Sequence, residues 1–226
     1  MRRIHKCIWA VGLLAGWLAA GGMEARAQEA PKAIPDSVFY LMPSFGEGLV
    51  YFRGQSPAQG QINICAVDNT LRFIDDDGKE MSVASHDNIL RVRIDTVTFM
   101  RHQNTFVRLH PVSDGMGVAV RRDVRIYTDA KPSAYGGTSQ TSSIKEIGTL
   151  YTEDGMHDLS SNKKYPYKMS ETILIYNGDD VYVPTKKNLR KLFPGKAAEV
   201  DEYFKAHRSF PGTVEEAREL ISAWVQ

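Results

Sequence analysis

The run Tyr135-Gly136-Gly137-Thr138-Ser139, continued by Gln140-Thr141-Ser142-Ser143, holds the densest set of hydroxyls in the chain. A serine nucleophile would need a tight, rigid turn with a histidine base within reach, and no Gly-x-Ser-x-Gly occurs here. Glycines let a backbone approach a ligand closely, so a binding loop is the more modest functional alternative. A stretch of small polar residues is most simply a flexible connector, and that is the first expectation for residues 129–143. No catalytic residue is assigned.

Other chemistries can be weighed residue by residue. Asp75-Asp76-Asp77-Gly78 has the carboxylates of a calcium loop, but aligning its glycine on the EF-hand pattern puts Phe73 in the first ligand position. Asp-Gly between apolar runs is better explained as a hairpin turn. His86, His102, His110, His157 and His207 share no strand or helix at ligand spacing, so no metal site is expected. No phosphate-cradling glycine motif is present and no cofactor is expected. Carboxylate pairs for glycoside cleavage come from distant positions, and nothing in the chain marks one. Tyr151, Tyr165, Tyr167, Tyr176 and Tyr182 gather late in the chain with Lys163, Lys164 and Lys168 among them. Such tyrosines either cover the edge of a core or form a contact surface for a sugar or protein; Tyr165 and Tyr167 are candidates for the second role.

The N-terminus carries Arg2, Arg3 and Lys6, then an apolar run from Cys7 to Ala20, then Ala25-Arg26-Ala27. This is the order of a secretory signal peptide over residues 1–27, cut after Ala27. The apolar run is about 14 residues against the roughly 20 a membrane helix needs, so no transmembrane anchor is expected after cleavage. Of 28 basic residues the segment removes Arg2, Arg3, Lys6 and Arg26, and of 27 acidic residues it removes Glu24. The remaining 24 against 26 leave a net charge of −2, with no block of like charges, which argues against a nucleic-acid partner. Cys65 alone remains after processing, so no internal disulfide can form; its strand-like surroundings suit a small buried residue.

Residues 28–47 are rich in proline and read as an extended lead-in, with Val38-Phe39-Tyr40-Leu41 able to dock on the body. From residue 48 to 183 short apolar runs alternate with turn signals. Ile89-Leu90-Arg91-Val92-Arg93-Ile94 shows the period of two expected of a half-exposed strand, and Asn177-Gly178 marks a hairpin. The expected fold is mainly β, an antiparallel sandwich or partly open barrel. Residues 184–226 change period: Thr185 can cap one helix, and Thr213-Val214-Glu215-Glu216 has capping-box spacing before another. A small helical appendage is expected there.

Ala134 to Ser143, the segment Lys186-Lys187-Asn188-Leu189-Arg190-Lys191-Leu192-Phe193-Pro194 and the following Glu199-Val200-Asp201-Glu202-Tyr203 together resemble a set of exported Bacteroidota proteins without an assigned activity. The resemblance spans about residues 45–208 and implies a cell-envelope or secreted location, but no reaction and no functional residues. Asp36-Ser37-Val38 and Asp95-Thr96-Val97 also resemble the three-residue O-glycosylation signal of that phylum, which would make Ser37 and Thr96 the acceptors. The functional expectation is an exported, non-catalytic interaction module, periplasmic or secreted, whose partner is a protein or glycan of the envelope. Its rivals are a small secreted hydrolase assembled from separate strands, and a structural subunit docking through its C-terminal helices.

Overall fold

The computed structural model describes residues 35–126 and 167–225. The chain enters through a single helical turn, α1 (Asp36–Phe39), where the carbonyl of Pro35 accepts from the N–H groups of Val38 and Phe39 at 2.9 and 3.0 Å. Val38, Phe39 and Tyr40 are buried, Tyr40 bridges Cys65, and the Leu41 N–H donates to the Ile64 carbonyl at 2.9 Å. The lead-in therefore docks through the expected apolar run, but by way of a turn of helix.

Ten strands follow: β1 (Gly46–Phe52), β2 (Ala58–Ile64), β3 (Leu71–Ile74), β4 (Glu80–Ser82), β5 (Ile89–Ile94), β6 (Val97–His102), β7 (Thr105–Ser113), β8 (Met116–Ile126), β9 (Tyr167–Asn177) and β10 (Asp180–Tyr182). They form one antiparallel sheet in the order β10-β9-β8-β7-β6-β5-β1-β2-β3-β4. The chain is mainly β with a small C-terminal helical part. Among the described residues the strands belong to a single continuous sheet with β10 and β4 at its two edges. β8 is one strand of 11 residues, and β9, of the same length, begins at Tyr167.

The sheet curls strongly. Leu71 of β3 donates its N–H to Nε2 of His86 at 2.9 Å, and the His86 ring stands edge-on to Phe106 of β7, 6.3 Å between centroids. That curl encloses a core of Val50, Ile64, Leu71, Val92, Ile94, Phe99 and Phe106. Strand alternation sends Met100, Val107, Leu109, Ala119, Leu174 and Tyr176 to the opposite face, where they form a second cluster. β6 and β7 thus bury side chains on both faces. Gly117 permits this packing: a Cβ there would lie 2.3 Å from the His110 carbonyl oxygen and 2.8 Å from the Tyr176 ring.

Three helices close the chain: α2 (Lys186–Leu192), α3 (Ala197–Ala206) and α4 (Val214–Val225). Thr185 caps α2 by accepting from the Asn188 N–H at 3.2 Å, and Thr213 accepts from Glu216 at the start of α4 at 3.4 Å. Ala217, Ile221 and Trp224 of α4 pack with Leu189, Phe193 and Val200 against Val118, Val120 and Ile175 of the sheet. Each large apolar side chain buried this way contributes about 1.5–3 kcal/mol, so the helices use their apolar stripe within the fold's own core.

Candidate functional site

A polar cleft opens between these cores. Register sets it up: Arg108 of β7 lies opposite Phe99 of β6 and Val120 of β8, and Arg122 of β8 lies opposite Glu171 of β9. His110 follows Arg108 by two residues and so shares its face. On one side of this polar row stand Phe99 and Phe106, and on the other the helical cluster. Two chain segments complete the walls. Leu41 arrives from the lead-in, and Val214 from the first turn of α4, which Arg218 ties to β7 by donating to the Pro111 carbonyl at 3.3 Å. The cleft holds about 220 Å³ and is lined by Leu41, Phe99, Arg108, His110, Val120, Arg122, Glu171 and Val214.

Its charges are unevenly matched. Arg122 donates through Nε and Nη2 to Glu171 Oε1 at 3.0 and 2.9 Å, and through Nη1 to the Ser37 carbonyl at 3.3 Å. The Arg108 side chain, exposed at the mouth of the cleft, has no hydrogen-bond or ion-pair partner among the described residues. His110 is held below its ordinary pKa, first by burial and then by the nearby Arg108 and Arg218, with Glu215 and Glu171 pulling the other way. Its imidazole is therefore neutral near neutral pH. With Arg122 matched by Glu171, Arg108 leaves the walls with one net positive charge. Two aliphatic walls, one free guanidinium and a neutral imidazole suit gripping an anionic group on a short carbon stem.

The reactive candidates lie elsewhere and are engaged in the fold. Cys65 is buried, and burial pushes its thiol up to about 12, the opposite of what a nucleophilic cysteine needs. His86 uses Nε2 to accept from the backbone, and His207 stacks on Tyr203 with ring centroids 4.4 Å apart. Asp75 accepts from the N–H groups of Asp77 and Lys79 at 3.1 and 2.8 Å, and Gly78 takes φ +77°, so the acidic run is a hairpin turn held by its own carboxylate. Among the described residues no group of three or more His, Cys, Asp or Glu converges at metal-binding distance. Tyr40 donates to Glu80 at 2.7 Å beside the buried Arg72, which pairs with Asp68; this network ties the lead-in to β3 and β4.

Of the residues singled out in the sequence, Tyr135, Gly136, Gly137, Thr138, Ser139 and Tyr165 lie outside the described residues, as do residues 1–27. Tyr167 opens β9 opposite Ile126 and is 42% exposed. Thr96 is exposed in the two-residue turn between β5 and β6, where Asp95 takes φ +51°. Ser37 is exposed in α1, and its carbonyl is held by Arg122. None of these side chains lines the cleft. Arg108, His110, Arg122 and Glu171 were not singled out. The only local signal for them is a charged or polar residue among apolar ones on one strand face, which reads as a solvated position until Leu41 and Val214 join the same cleft.

No family model, no curated protein and no solved structure matches this chain.

Proposed function

We propose that the chain is an exported binding module, delivered by residues 1–27 and acting in the cell envelope or outside it on a protein or glycan partner. One observation carries this reading: among the described residues the cleft is lined by groups suited to holding a ligand, with the unpaired side chain of Arg108 chief among them. The N-terminal segment, with its basic start, short apolar core and Ala-Arg-Ala end, supplies the compartment. The C-terminal helices bury Ala217, Ile221 and Trp224 against the sheet, which leaves them less apolar surface for a docking role of their own.

The test has two arms. Intact mass of the protein from its native host is expected to give a chain beginning at Gln28. That chain, labelled and mixed with its host's envelope fraction, is expected to bind saturably and to be displaced by unlabelled protein. A chain retaining Met1 in the cytosol, or binding that never saturates, contradicts the proposal; turnover of ester or amide substrates would replace it with a hydrolase.

A further inference from the structure

We infer that the cleft between β7, β8, the lead-in and α4 is a site for one monovalent carboxylate on a short aliphatic stem, with Arg108 as its anchor. The inference rests on the binding-module reading and names the chemistry of what is bound.

Size sets the first limit. Sites for whole drug-sized ligands run about 300–1,000 Å³, so a cleft of 220 Å³ takes a single functional group and a few carbons. Charge sets the second. Arg122 is neutralised by Glu171, which leaves one uncompensated guanidinium. Glu171 stays in the wall and Glu215 lies close enough to act on His110. Arg218 also acts on His110, and counting Arg108, Arg122 and Arg218 against Glu171 and Glu215 leaves the surroundings one net positive charge, so a monovalent carboxylate fits better than a dianionic phosphate. Shape sets the third. Leu41, Val120 and Val214 line the same cleft as Arg108 and give the carbons of the ligand apolar surface to lie against. A planar guanidinium presents two parallel N–H donors to a planar carboxylate, which a lysine in the same place could not match. The stem belongs either to a free small acid or to an acidic side chain of a partner, and both present the same group.

The experiment titrates the protein as purified from its host with sodium butyrate, acetate, chloride and inorganic phosphate at constant ionic strength, followed by NMR. Acetyl-glutamate amide serves as the probe for a partner's side chain. Saturable shifts at His110 are expected with butyrate, each methylene added beyond acetate tightening binding about three- to fourfold. Arg108→Gln is expected to weaken butyrate at least tenfold, Arg108→Lys to weaken it less, and Arg125→Gln, on the exposed part of β8, to leave it unchanged. Stronger binding of acetyl-glutamate amide assigns the site to a partner side chain, and stronger binding of butyrate to a free acid. Equal affinity in Arg108→Gln, tighter binding of phosphate, or shifts that chloride reproduces each overturns the inference. If saturable binding to the envelope persists under any of those results, only the carboxylate assignment fails; if it is absent too, the module reading fails with it.

Discussion

Arg122 and Glu171 face each other across β8 and β9, with both Nε and Nη2 of the arginine donating to Oε1 at 3.0 and 2.9 Å. This pair cancels the second positive charge of the cleft and so leaves Arg108, on the adjoining strand, as its one unmatched cation among the described residues.

Glu171→Gln should therefore change binding more than stability. The pair is partly exposed, with side chains 25% and 47% accessible, and such pairs are worth about 0–1 kcal/mol. The melting temperature is expected to move by no more than a few degrees. Carboxylate affinity is expected to rise, and discrimination against phosphate to shrink, because Arg122 becomes a second free cation. A calorimetric titration beside a thermal melt reads both.

Stability should fall on mild acidification. His86, His102 and His110 are all held below their ordinary pKa, mainly by burial, and His86 must stay neutral to accept from Leu71. A histidine whose folded pKa is depressed binds more protons when unfolded, so stability rises with pH. The contribution is complete above the unfolded value of about 6.5 and is lost as pH falls through it toward the lower folded values. The urea midpoint is expected to drop between about pH 7.5 and about pH 5.5, and His86→Gln to make that drop shallower.

Trp224→Ala should loosen the helical part. Its ring packs 5.5 Å from Phe193 and 5.9 Å from Tyr203, and only 5% of it is exposed. Truncating a buried tryptophan costs about 3–5 kcal/mol, whereas Val225→Ala, at an exposed position next to it, should stay within about 0.5 kcal/mol. Denaturant titration of the two variants separates them.

Cys65 should be silent in the folded protein. Burial both hides the thiol and keeps it protonated, with its pKa pushed up to about 12. Iodoacetamide at about pH 8, near the pKa of a free thiol, is expected to label it in denaturant and to leave it unlabelled in buffer. Rapid labelling of the native chain would show that the Tyr40–Cys65 bridge opens readily.

Local signals were legible where one turn or one cap decides the outcome. Asp77-Gly78 and Asn177-Gly178 announce hairpins, and Gly78 and Gly178 do take positive φ; Thr185 and Thr213 announce helix starts, and both accept the capping hydrogen bond. β8 was harder to read, because Arg121-Arg122-Asp123 interrupts its apolar run although all three residues pair with β9. The first half of β9, Tyr167 to Thr172, is polar and mostly exposed, so it shows no strand alternation. The curl of the sheet is not local at all: Arg91 of β5 reaches Asp179, just before β10, at 2.8 Å across 88 residues of sequence. The cleft depends on such long-range approaches, since Arg108 and His110 belong to a site only once Leu41 and Val214 stand over them.

The most direct measurement is the pKa of His110, read from its imidazole proton shifts with and without saturating butyrate and again in Arg108→Gln. A carboxylate held beside Arg108 should raise that pKa in the wild type. Arg108→Gln should raise it without ligand, since Arg108 is one of the charges depressing it, and butyrate at the concentration that saturates the wild type should then shift it much less. A His110 pKa that ignores butyrate in the wild type, or responds equally in both proteins, contradicts a binding site anchored on Arg108.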